Sequence, residues 1–126
     1  MAGHLCAALA RRADAAIKSE LRDFMARMDR AIAAGDEAAY FEINLAFHDR
    51  IAEAAGSERA RALYVALGKE VRLMRRRVLH GAPALARSNM EHDRIVTAIE
   101  AGDAEAARVA GAGHHEHGKK RLLDTL

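Results

Sequence analysis

Residues 91–114, EHDRIVTAIEAGDAEAARVAGAGH, contain two helical segments joined by a glycine and an aspartate. Before the junction, apolar side chains and one histidine recur at three- and four-residue steps, which is one face of an α-helix. Gly102 suits the left-handed residue that follows a helix, and Asp103 suits the N-cap of the next one. The stretch therefore predicts a helix over residues 85–100, a tight turn, and a second helix over 104–123.

The same stop-and-cap pair occurs earlier in the chain, at Gly35-Asp36. Upstream of it, apolar residues over 5–32 follow a single helical stripe, and Asp14 is placed to cap a restart that divides this stretch into two helices. Downstream, the pattern predicts a helix over 37–55. Similar helix-turn-helix junctions therefore occur in both halves of the chain.

The remaining sequence is also helical in character. Apolar residues over 58–79 predict another amphipathic helix, which Gly81-Ala82-Pro83 then breaks. The 126 residues include one proline and no tryptophan, 51% are hydrophobic and 30% charged, and no strand pattern is present. We expect an all-α, antiparallel bundle of five to six helices with short loops, forming a single domain over residues 1–126.

Composition also limits the possible partners. The net charge of +2 is too small to argue for nucleic-acid binding. The apolar runs are far shorter than the roughly 18 residues of a membrane span, and the N-terminus lacks the apolar core of a signal peptide. The single cysteine, Cys6, has no partner for an internal disulfide and lacks the context of a nucleophile. We expect a cytoplasmic protein.

Histidines are the unusual feature, since the chain has seven. Asn44 and His48 lie four residues apart on one largely apolar helix face, His92 lies on the apolar face of a second helix, and His114 lies among small residues on the last. In a bundle, three helices would thus direct imidazoles to one interior point, and three imidazoles with an oxygen suit Zn²⁺, Ni²⁺, Fe²⁺ or Mn²⁺. Any single histidine of this kind is more often a hydrogen-bonded core residue, and both interpretations stand. Four others are predicted at the surface: His4, His80, His115 and His117.

Three stretches resemble a known family. NLAFHDRIAEAAGS (residues 44–57) is similar to a Phe-His helix followed by an Ala-x-x-Gly turn, and residues 91–114 are similar to a second signature with histidines twenty-two residues apart. AIAAGDEAAYFEIN (residues 31–44) resembles the segment that leads into the first motif. Together they resemble the FCD ligand-binding domain of GntR-type bacterial transcription regulators, in its metal-binding branch.

The resemblance implies an all-helical, usually dimeric sensor domain whose cavity holds a divalent metal and a small carboxylate effector. By the match, the metal ligands are Asn44, His48, His92 and His114. The family commonly has aspartate where this chain has Asn44. A neutral amide supplies less charge than a carboxylate, so we expect weaker metal retention or a larger contribution of charge from the effector. The sequence also departs from the family pattern near His114. There Gly111 and Gly113, which have low helix propensity, predict a loosely formed helix end.

Four arginines lie close together at residues 72–77. Their spacing distributes them around the predicted helix, so we expect most of them to face solvent. Arg72 and Arg76 are the candidates to pair with the effector carboxylate through bidentate hydrogen bonds.

Family members carry a winged helix-turn-helix before this domain, whereas this chain begins within what resembles the first FCD helix. We therefore expect no direct DNA contact by this chain, whether it is a truncation, a fragment or a free-standing sensor.

The sequence leaves two alternatives to a sensor function. A metal-dependent hydrolase or oxygenase needs an acid or base beside the metal, but Asp49 and Asp93 directly follow candidate ligands and so lie about 100° away around the helix. We therefore predict that the chain is not an enzyme. A ligand-free dimerisation bundle, in which the histidines only satisfy the core, is the remaining alternative.

Overall fold

The computed structural model describes residues 2–59, 61–62 and 81–124. Within these ranges the chain forms helices and no strand. The helices are α1 (Ala2–Arg12), α2 (Ala15–Ala33), α3 (Glu37–Ala54), α4 (Ala82–Glu100) and α5 (Ala104–Asp124). This architecture confirms the predicted all-α bundle. The helix predicted over 58–79 lies largely outside the described residues.

Capping aspartates and left-handed glycines set the helix boundaries. Asp14, Asp36 and Asp103 each accept a hydrogen bond from the backbone N–H three residues further on, at 2.9 to 3.0 Å. Gly35 and Gly102 adopt φ values of 68° and 69°, a conformation that strains residues with a Cβ. The two predicted stop-and-cap junctions are therefore both present.

Two boundaries differ from the predictions. Helix α4 begins at Ala82, three residues earlier than expected, because Pro83 sits in its first turn, where a missing N–H costs no hydrogen bond. Helix α5 runs without interruption through Gly111 and Gly113, where a loose end was expected. Packing supports it there, since α1 lies so close that a Cβ on Gly3 would be 2.8 Å from the Arg108 carbonyl oxygen.

The core is formed where α2 packs against both α3 and α4 and where α5 packs against α1 and α4. Its fully buried large side chains include Leu9, Leu21, Met28, Tyr40, Phe41, Phe47, Leu85, Ile95, Val96 and Ile99. Cys6 is buried in the same core as a free thiol, and burial raises its pKa to about 11. None of the helices in the described ranges combines the length and apolar character that a membrane span needs.

Arg22 connects α2 to the outer face of α4. Its guanidinium lies 2.6 Å from a carboxylate oxygen of Asp93 and 2.6 Å from one of Glu100. The hydrogen bond from Arg22 lowers the pKa of Glu100 below its ordinary value. These contacts lie on the solvent side of α4, whereas His92 lies with the buried Ile95 and Ile99 on the side that packs into the core.

Candidate metal centre

Three imidazoles from three helices meet inside the bundle. His48 comes from α3, His92 from α4 and His114 from α5, and all three side chains are buried. The Nε2 atom of His114 lies 3.2 Å from Nε2 of His92 and 3.4 Å from Nε2 of His48. One ligand atom from each residue lies within 4.8 Å of the others. The Nε2 separations of 3.2 and 3.4 Å are close to those of nitrogen ligands held about 2.0–2.1 Å from one tetrahedral ion. That these residues bind a metal stays a prediction.

Asn44 lies one turn before His48 on the same face of α3 and is 0% exposed. Neither its Oδ1 nor its Nδ2 has a hydrogen-bond partner among the described residues. A buried polar atom left in this state costs about 1–3 kcal/mol, so native proteins rarely keep one without a reason. A cation at the histidine cluster would give the amide oxygen a partner.

The tautomer of His92 is set by an amide on the preceding turn of α4. Asn89 Nδ2 donates to Asp29 Oδ1 at 2.7 Å, which orients the amide so that its oxygen faces His92. His92 Nδ1 then donates to Asn89 Oδ1 at 3.2 Å. A neutral imidazole carries one proton, so Nε2 of His92 keeps its lone pair toward the cluster.

Glu91 sets the tautomer of His114 in the same way. His114 Nδ1 donates to Glu91 Oε1 at 2.8 Å, and the second carboxylate oxygen lies 2.7 Å from Nδ1 of His117. The Nε2 atoms of His92 and His114 therefore face each other at 3.2 Å, both with lone pairs. Such lone pairs repel unless a cation or a proton lies between them. The donor set and its outer hydrogen bonds fit a divalent transition metal.

Aromatic side chains line the cluster. The ring centroid of Phe47 lies 5.0 Å from that of His92 and 5.3 Å from that of His48. Tyr40 stacks on His92, and its hydroxyl donates to Ser88 Oγ at 3.0 Å. These walls lower the local dielectric constant and restrict the rotation of the imidazoles, so charge inside the cluster interacts strongly.

The aspartates that directly follow His48 and His92 in sequence, Asp49 and Asp93, are directed away from the histidine cluster, as the rotation of about 100° per helical residue predicts. Asp93 is held by Arg22 on the outer face of α4, and Asp49 Oδ1 lies 3.7 Å from Nε of Arg61. Neither is placed at the cluster to act as an acid or base.

The sequence did not reveal the residues that surround the three histidines and hydrogen-bond to their rings or to one another, which we call the outer residues of the centre. They are Asp29, Asn89, Glu91 and His117. His117 was predicted at the surface, and its side chain is 55% exposed, but its ring contacts the buried Glu91. Of the other predicted surface histidines, His4 and His115 are exposed. His80 and the two candidate effector-binding residues, Arg72 and Arg76, lie outside the described residues.

Comparison with known proteins identifies the family. The sequence model of the FCD domain matches residues 1–117. The chain belongs to the FCD domain family. Among solved structures, a GntR protein of Streptococcus agalactiae superposes with a TM-score of 0.77 at 18% sequence identity, over 94% of this chain and 53% of that one. At this identity the likeness shows the fold alone, and the chain spans about half the length of that protein. No curated protein sequence gives a match.

The chain is therefore an FCD domain, a domain of GntR-type transcription regulators. The family is regulatory and not enzymatic, in agreement with the prediction that the chain is not an enzyme.

Proposed function

We propose that this FCD domain is a sensor that binds a divalent transition metal through Asn44, His48, His92 and His114, with a small organic acid as its effector. The supporting observation is the convergence of three buried imidazoles, with one ligand atom of each within 4.8 Å of the others, and a buried amide one turn before His48 that has no hydrogen-bond partner among the described residues. Zn²⁺, Ni²⁺, Fe²⁺ and Mn²⁺ all accept this donor set. A bound dication would supply a Lewis-acidic anchor for a carboxylate oxygen.

The placement of the ligands suggests how binding would be transmitted. They come from α3, α4 and α5, so ligation fixes these helices relative to one another. Helix α5 also packs along α1, at the beginning of the chain. An effector that binds one arrangement of these helices better than another shifts the population toward it, and α1 carries that shift outward.

The partners follow from the same proposal. We propose that the domain acts as a homodimer in the cytoplasm and affects DNA binding through a separate winged helix-turn-helix domain. A small bundle rich in alanine gains stability from a second copy. Light scattering at several protein concentrations would measure the oligomeric state, and a monomer throughout would contradict the dimer.

Thermal unfolding with and without Zn²⁺ tests the metal site. A metal that binds only the folded state at one hundred times its Kd adds about 2.7 kcal/mol, which for a domain of this size is a rise in Tm of about 8–16 °C. His92→Ala should lose this rise, whereas His115→Ala, which changes an exposed histidine on α5, should keep it. For each variant, the Tm with Zn²⁺ is compared with the Tm of the same variant without Zn²⁺, which cancels any change in intrinsic stability. An unchanged Tm for the wild type would contradict the proposal.

Calorimetry then tests the effector. Small organic acids titrated into the Zn²⁺-loaded wild type should release or absorb heat at a single site. The same titration into His92→Ala with Zn²⁺ should give none. Equal binding to both proteins would place the acid away from the histidine cluster.

A further inference from the structure

The oxygen and the nitrogen of the Asn44 side-chain amide are both buried and have no hydrogen-bond partner among the residues that the structure describes, and a metal would satisfy only the oxygen. Resting on the proposed metal site, we infer that Asn44 makes metal and anion bind as a pair. In this arrangement Oδ1 faces the cation, and Nδ2 donates a hydrogen bond to an oxygen of a small carboxylate beside it. The domain then retains its metal well only when such an anion is present.

Charge gives the first reason. Three imidazoles and one amide are all neutral, so the ligand set leaves both positive charges of a dication uncompensated. Among the described residues, Glu91 contacts His114 from its Nδ1 side, behind the ring, and supplies one outer negative charge. Asp49 and Asp93 are paired with arginines. Residual charge inside an apolar site is costly, and one carboxylate would remove it.

The hydrogen-bonding capacity of Asn44 gives the second reason. Nδ2 and Oδ1 are attached to the same carbon, so an amide whose oxygen faces the cation holds its N–H beside the cation as well. That N–H needs an acceptor, because burial has removed water from it. A carboxylate oxygen at the cation accepts this hydrogen bond and supplies the missing negative charge. A single small anion therefore meets both requirements.

Thermodynamic linkage makes the coupling between metal binding and anion binding reciprocal. If the anion raises the affinity for metal by some factor, the metal raises the affinity for the anion by the same factor, which is commonly about 5- to 150-fold. A site with a carboxylate at position 44 would carry its own negative charge and would lose most of this dependence. Asn44→Asp is therefore the matched variant, nearly identical in size and different by one charge.

Calorimetric titration of Zn²⁺ in sodium acetate and in sodium perchlorate at equal ionic strength tests the inference. Perchlorate coordinates metals weakly, and acetate is the carboxylate probe. For the wild type, acetate should raise the Zn²⁺ affinity by about 5- to 150-fold. Asn44→Asp should bind Zn²⁺ about tenfold or more tightly than the wild type in perchlorate and respond little to acetate. Circular dichroism checks that the variant is folded.

A second readout needs no variant. In nitrogen-15 spectra of the wild type, the side-chain NH₂ resonances of Asn44 should shift when acetate is added to the Zn²⁺-loaded protein, and much less on adding perchlorate. Tight Zn²⁺ binding that is equal in the two salts, with no shift of these resonances, would overturn the inference while leaving the metal site intact. Absence of Zn²⁺ binding in both salts and both proteins would overturn the proposed function itself.

Discussion

Replacing Glu91 with leucine tests whether the outer hydrogen bonds hold the candidate metal centre in its binding geometry. The Glu91 side chain is 11% exposed, and its Oε1 accepts from His114 Nδ1 at 2.8 Å. Leucine fills similar space but accepts no hydrogen bond. His114 then loses the contact that keeps its proton on Nδ1, and the proton can occupy Nε2, the atom that we propose binds the metal.

The expected loss follows from this role. Removing such an outer partner typically lowers metal affinity by about 10- to 100-fold, equivalent to about 1.4–2.8 kcal/mol. Glu91→Gln keeps an oxygen for His114 Nδ1, and its NH₂ group can donate to His117 Nδ1. Because hydrogen-bond orientation survives and only charge is lost, we expect glutamine to cost less than leucine.

Competition titration with a chromogenic Zn²⁺ chelator provides the assay, and circular dichroism confirms folding. His115→Ala serves as a control, because it changes an exposed histidine on α5; we expect a change within about threefold. A folded Glu91→Leu protein that binds Zn²⁺ as tightly as the wild type would refute the reasoning.

Three further predictions concern the scaffold. Cys6 in the native protein should react with iodoacetamide far more slowly than in the urea-unfolded chain, because burial raises its pKa to about 11; equal rates would contradict its burial. Phe47→Ala should cost about 3–5 kcal/mol in urea denaturation, since the ring is fully buried, and a loss below about 1 kcal/mol would be inconsistent with the packing. Arg22→Ala should cost at most about 1 kcal/mol, because the side chain is 41% exposed. That cost is present above the unfolded pKa of Glu100, about 4.3, and disappears as pH falls through the lower folded value; a cost that persists at low pH would exclude this ion pair as its source.

Helix boundaries were predictable because they depend on local chemistry. The pairs Gly35-Asp36 and Gly102-Asp103 combine a left-handed residue with a side-chain cap, and both requirements are visible in the sequence. Loosening of α5 near Gly111 was wrongly expected, because intrinsic helix propensity takes no account of support from α1.

The candidate centre was predictable in its inner residues and not in its outer ones. Periodicity placed Asn44, His48 and His92 on inward faces. Glu91, however, directly precedes His92 and is turned about 100° from it, so its carboxylate reaches His114 on another helix. Contacts of this kind depend on how two helices are rotated against each other, and a single sequence does not specify that rotation.

Nitrogen-15 NMR of the histidine rings, recorded before and after addition of equimolar Zn²⁺, tests the central claim most directly. Of the seven histidines, His48, His92 and His114 should change. In His92 and His114, Nε2 should take the chemical shift of a metal-bound nitrogen while Nδ1 keeps its proton. The other four should stay as they were. Unchanged rings, or metal-bound shifts on a different set of histidines, would contradict the assignment of this bundle as a metal-binding sensor.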